Sequence, residues 1–120
     1  MGEKFSEYIK DEKIQAINHE EDFITIEFEN EYKCIKLFAA QDCCSESWFE
    51  TLNESFDSII GKEIKSIKTE GELEMTSSGR QECDTNKLIV IEFQDSIKFE
   101  FVLRNSSNGY YNGWLEIKII

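Results

Sequence analysis

The chain has 120 residues, enough for one domain with a single core and too few for two. Hydrophobic residues make up 40%, with nine Phe, four Tyr and two Trp, so apolar burial can offset chain entropy despite 32% charged residues and the chain should fold. A net charge of −12 repels phosphate backbones and anionic lipid, which disfavours direct nucleic-acid or membrane binding and points to a basic partner.

The acids are concentrated early. Residues 1–31 hold ten acidic and three basic side chains, so an acidic segment over 1–22 precedes a β-rich core over 23–120 within one domain. There is no Pro, no repeat and no low-complexity tract to mark a hinge. The start MGEKFSEYIKDEK lacks an apolar leader, and no run reaches the roughly 18 apolar residues of a membrane span, so a soluble, cytoplasmic chain is expected. Phe5, Tyr8 and Ile9 fit a short N-terminal helix, and IQAI after them fits a strand.

From residue 23 the pattern is one of strands. FITIEFE alternates Ile24, Ile26 and Phe28 against Thr25 and Glu27, and YKCIKLFA follows a turn containing Asn30, which together read as a hairpin. EIKSIKTEGELEM is a weaker strand region, interrupted at Gly71 by a bulge or turn, and 76–86 is a polar loop. KLIVIEFQ and SIKFEFVLRN form a second hairpin, with Ile89, Ile91 and Phe93 answered by Ile97, Phe99, Phe101 and Leu103. Between the hairpins, SESWFETLNESF predicts an amphipathic helix near 45–57. Ser45 is its N-cap, Trp48, Phe49, Leu52 and Phe56 are its packed face, and Glu46, Glu50, Glu54 and Asp57 form a solvent stripe. The fold class is therefore α+β: a mainly antiparallel sheet of six to seven strands, one amphipathic helix and a short helix at the N-terminus.

Candidate chemistry is sparse. His19 sits in the acidic turn NHEED with no partner motif, and no Gly-rich phosphate loop, HExxH or GxSxG occurs, so no catalytic residues and no cofactor are assigned. Cys34, Cys43, Cys44 and Cys83 lack the paired spacing of a zinc site and read as structural thiols, with the vicinal Cys43 and Cys44 as a minor redox alternative. Two surfaces remain. An acidic interaction face would join Glu46, Glu50, Glu54 and Asp57 to Glu20, Glu21 and Asp22. A contact loop in NSSNGYYNGW would use Asn105, Asn108, Tyr110, Tyr111, Asn112 and Trp114. Its two Asn-Gly steps suit a hairpin connection from KFEFVLRN to WLEIKII, while the aromatics exceed what a turn requires.

DCCSESWFE (42–50), IIGKEI (59–64) and RNSSNGYYNGWLEI (104–117), in that order, resemble a family of small uncharacterised phage, prophage and bacterial domains. In that family a CCSE-like segment precedes an aromatic helix and an NGYYGG-like turn closes the domain. Here Asn112 takes the first of the two final Gly-like positions. The likeness spans roughly 40–117 and implies a phage setting in a bacterial cytoplasm without implying a mechanism. The setting, small size and acidity give the leading expectation, a non-enzymatic inhibitor binding a basic host defence or nucleic-acid-handling protein. The alternatives are a small-ligand binder that sequesters a nucleotide signal through the 105–114 loop, and an immunity-type inhibitor of a toxin.

Overall fold

The computed structural model describes residues 3–52, 54–109 and 111–120. The elements in chain order are helix α1 (Glu3–Ile9), strands β1 (Ile14–His19), β2 (Phe23–Phe28), β3 (Cys34–Gln41) and β4 (Glu46–Thr51), a 3-10 helix (Phe56–Ile59), then β5 (Ile64–Glu72), β6 (Cys83–Phe93), β7 (Lys98–Ser107) and β8 (Gly113–Ile119). The eight strands form two four-stranded sheets, ordered β1-β2-β3-β8 and β4-β7-β6-β5, with every pairing antiparallel.

Alternation builds the core. Ile24, Ile26 and Phe28 of β2 and Ile35, Leu37 and Ala39 of β3 face Ile89, Ile91 and Phe93 of β6 and Phe99, Phe101 and Leu103 of β7, all buried in one cluster. Period-two side chains put each set on one pleat face, so two such faces meet as a sandwich. Both hairpins form as the alternation predicts, as does the short helix α1 followed by the strand β1. Gly71 lies at a register shift in β5 with φ 141, the bulge its position suggested. Ile97 does not join the core; it stands 52% exposed in the β6–β7 turn.

The single sheet of six to seven strands is instead two sheets of four, because Glu46–Thr51 adds a strand and the two hairpins bury their apolar faces against each other. Two further expectations are corrected. Residues 45–57 are not a helix: Glu46–Thr51 pairs with β7 from Glu46↔Ser106 to Thr51↔Phe101, and only Phe56–Ile59 turns, as a 3-10 helix. In a run this short, spacing fits either element. Here Ser47 and Phe49 turn inward while Glu46, Trp48 and Glu50 share the outer face. Trp, Phe and Thr suit a strand, and pairing with β7 supplies long-range hydrogen bonds that a lone helix lacks. The second correction concerns β8, which does not fold back onto β7. After β7 the chain passes to the other sheet, where β8 pairs with β3.

Main-chain hydrogen bonds tie the layers together at two places. The Phe49 N–H donates to Glu21 O (2.8 Å) and the Ala39 N–H to Asp22 O (2.9 Å), seating the β1–β2 turn against β3 and β4. At the other end of β1, the Ile14 N–H donates to Lys62 O (3.0 Å) and the Gly61 N–H to Ile14 O (2.7 Å). Between β5 and β8 the layers part into a groove of about 540 Å³, lined by Phe5, Ile67, Thr69, Leu115, Ile117 and Ile119.

Candidate functional site

The outer face of the β4 sheet carries rows of polar side chains set by strand register. Trp48, Arg104 and Asn86 lie abreast on β4, β7 and β6, with Glu46, Ser106 and Asp84 in the neighbouring row. Arg104, 7% exposed, sits at the centre. Its Nε donates to Asn86 Oδ1 (3.0 Å), Nη1 to both oxygens of Glu50 (3.2 and 3.3 Å), and Nη2 to Thr76 O (2.7 Å) and Asp84 Oδ2 (3.2 Å). Trp48 Nε1 donates to Glu50 Oε1 (3.0 Å). Burial works to raise the Asp84 carboxyl. The Ser78 N–H, the hydroxyls of Ser106 and Ser78 and the Arg104 charge overcome it, holding Asp84 below the ordinary carboxylate range.

Above this layer lies the acidic face. The Arg80 guanidinium stacks on Trp48 at 3.7 Å, and its Nη2 reaches Glu21 Oε1 (2.7 Å) while Nη1 lies 3.8 Å from Glu46 Oε2. Glu21 and Glu46, 25 positions apart in sequence, thus meet at one cation, with Glu20 and Asp22 exposed beside Glu21. The rest of the expected stripe does not assemble. On a strand, Glu46 and Glu50 are about 13 Å apart instead of one helical turn, and Glu50 turns to Arg104. Glu54 accepts from the Ser58 hydroxyl (3.3 Å), and Asp57 lines a shallow depression with Ile17, His19, Thr51 and Phe56. His19 itself packs edge-on against Phe56 at 4.6 Å.

The contact loop is also split. Asn105 is not a surface residue: it points inward from β7, 2% exposed, and its Nδ2 donates to the hydroxyls of Ser45 (3.1 Å) and Ser47 (2.9 Å). Alternation continued from Phe101 and Leu103 puts it on that face. Gly113 lies against the same cluster, where a Cβ would strike Ser47 Oγ and come within 3.0 Å of Asn105 Nδ2, so the second Asn-Gly step serves close packing and only Gly109 (φ 100) uses the left-handed region. Tyr110 lies outside the described residues. Asn108, Tyr111, Asn112 and Trp114 are exposed, with the Asn112 N–H donating to Asp42 Oδ2 (3.0 Å) and Trp114 on the outer face of β8 opposite Ala40.

Three of the four thiols are not core groups. Cys43, Cys44 and Cys83 are exposed and Cys34 is half-buried, which departs from the expectation of structural thiols. The sulfurs of Cys43 and Cys44 lie 3.2 Å apart, and a hydrogen bond from one to the other pushes the Cys44 thiol up. Among the described residues no three His, Cys, Asp or Glu side chains converge as a metal site, and no helix is long and apolar enough to cross a membrane. Sequence reasoning missed the Arg104 centre because its partners come from three separate segments, β4, β6 and the loop at Thr76, and Glu50 reads as a solvent-facing acid.

No solved structure matches the chain significantly. It is similar to "Uncharacterized protein L278" of Acanthamoeba polyphaga mimivirus, at 46% identity over 102 residues covering 84% of this chain and 81% of that protein. That relative is viral and uncharacterised, and the resemblance likewise implied an uncharacterised family. The family described as "Domain of unknown function (DUF7448)" matches residues 7–116, so β1 and the acidic β1–β2 turn fall inside the match and not outside it as the 40–117 resemblance had it. With nearly the whole chain matched, the protein belongs to the DUF7448 family.

Proposed function

We propose that this domain is a non-enzymatic binding protein whose acidic face, Glu20, Glu21, Asp22 and Glu46, docks on a basic surface of a protein partner and inhibits it. The observation that carries the reading is the meeting of Glu21 and Glu46 at Arg80, which joins two sequence-distant acidic segments into one exposed face. Arg80, stacked on Trp48, holds the β4 and turn carboxylates in fixed positions, and a preordered face loses less side-chain entropy on binding. The net charge of −12 adds long-range attraction for a basic partner. The viral relative fits an inhibitor directed at a host defence or nucleic-acid-handling protein.

The test uses the immobilised full chain against extract from the producing cell. A basic protein captured at about 0.05 M salt and released near 0.5 M, and lost in the Glu20→Lys/Asp22→Lys variant, supports the reading. Capture that ignores both salt and charge reversal overturns it.

A second reading, stacking of a small ligand on Tyr111 and Trp114, draws on their exposure at one corner. For a phosphate-bearing ligand it is weakened by the commitment of both arginines, Arg80 and Arg104, to carboxylates.

A further inference from the structure

Two sheets have four edge strands, and an unprotected edge invites pairing with another chain. Three edges are blunted. β1 carries a register shift between Ile14 and Ala16, and β5 carries two, between Ile64 and Ser66 and between Thr69 and Gly71. β4 gives its Phe49 N–H to Glu21 O and is flanked by the β1–β2 turn. β8 is held on its open side at its first residue, where Gly113 O accepts from Lys87 Nζ (2.6 Å), but among the described residues it carries no register shift and pairs with β3 without interruption from Ile35↔Ile119 to Gln41↔Gly113.

Main-chain parity shows what β8 offers. The Ile120 N–H donates to Cys34 O (3.0 Å) and the Asp42 N–H to Asn112 O (3.0 Å), so the even-numbered residues from 112 to 120 bond toward β3. In an antiparallel ladder the bonding direction alternates, so the N–H and C=O groups of Leu115, Ile117 and Ile119 point to the open edge. Their side chains line the apolar groove on the inner side, and Glu116 and Lys118 lie exposed on the outer side.

We infer that β8 pairs antiparallel with β8 of a second copy of this chain, about a two-fold axis at Ile117, joining two four-stranded sheets into one of eight strands. In that register Ile117 opposes Ile117 of the second copy, Leu115 opposes Ile119, and Glu116 opposes Lys118. The odd residues, whose main-chain groups are open, become the hydrogen-bonded pairs. Glu116 and Lys118 fall at the non-hydrogen-bonded positions, where Cα atoms approach to about 4.5 Å and side chains are closest. Charge selects this register: an axis at Glu116 would set Glu against Glu, and one at Lys118 would set Lys against Lys, both unfavourable. The edge is thus locally neutral and self-complementary in a chain of net charge −12.

Symmetry gives the test. Sedimentation velocity of the full chain from about 1 to about 100 μM, the range expected for a modest interface, should show a dimer. Glu116→Lys alone, or Lys118→Glu alone, sets like charges opposite at both symmetry-related positions and should weaken association about ten-fold or more. The double variant Glu116→Lys/Lys118→Glu restores opposite charges and should recover the dimer, while far-UV circular dichroism reports an intact fold. Amide exchange at Leu115, Ile117 and Ile119 in the wild-type chain, which needs no variant, should slow as concentration rises. A monomer throughout the range, a dimer indifferent to the single changes, or a double variant no better than the singles would overturn the proposal.

Discussion

Arg104→Ala removes the cation at the centre of the β4–β7–β6 outer face. The side chain is 8% exposed, and its loss strips a charged donor from Asp84, whose side chain is 10% exposed, and from Glu50, which at 38% is partly rescued by water. It also orphans Thr76 O and Asn86 Oδ1 and takes one cation from above Trp48, 5.5 Å away. Breaking a buried ion pair from one side costs about 3–5 kcal/mol, a large share of a stability of about 5–15 kcal/mol. For a chain of this length the melting temperature should fall by about 10–20 °C. Arg104→Lys keeps the charge but not the planar fork, so its loss should be smaller and should come from the Asn86 and Glu50 bonds. Urea unfolding of the single variants, Asp84→Asn and the double variant yields the coupling energy, expected at about 1–3 kcal/mol. A cost below about 1 kcal/mol for Arg104→Ala, or zero coupling to Asp84, would refute the network as drawn.

Gly113→Ala should cost about 1–3 kcal/mol, because its Cβ collides with Ser47 Oγ, and Gly113→Ala/Ser47→Ala should recover part of that loss in the same unfolding assay. Asp84 makes acid stability predictable. Its folded pKa is lowered, so its contribution is present above the unfolded value of about 3.9 and is lost as pH falls through the folded value; urea midpoints from pH 6 to 2 should drop at the acid end, and less so in Asp84→Asn. Thiol labelling of the native chain should modify the exposed Cys43 and Cys83 quickly, Cys44 less quickly because its hydrogen bond with Cys43 raises its thiol, and Cys34 slowly because burial both shields and raises it; fast labelling of Cys34 would contradict its place in β3.

The hairpins β2–β3 and β6–β7 were legible because Ile and Phe alternate with polar residues over whole strands, a signal that is local. Residues 45–51 were not, since Trp48, Phe49 and Leu52 satisfy helical spacing as well as a strand satisfies Ser47 and Phe49. What decides between them is the row of Arg104 and Ser106 on β7, more than fifty positions away. The same nonlocality hid the partner of β8. Asn105 and Arg104 could have been placed: extending the Phe99, Phe101, Leu103 alternation puts Asn105 inside and Arg104 outside, although the cover over Arg104 comes from Thr76, in a loop with no periodicity. For the acidic face, Glu20, Glu21 and Asp22 are exposed, and Glu46 joins them through Arg80, a cation that composition alone gave no reason to place there.

Zero-length carboxyl-to-amine cross-linking of the captured complex tests the central claim most directly. Docking through the acidic face predicts that the partner's lysines join to Glu20, Glu21, Asp22 and Glu46. Cross-links gathered instead on Glu70, Glu72 and Glu74 of the β5 region, or scattered evenly over the acids of the chain, would contradict it.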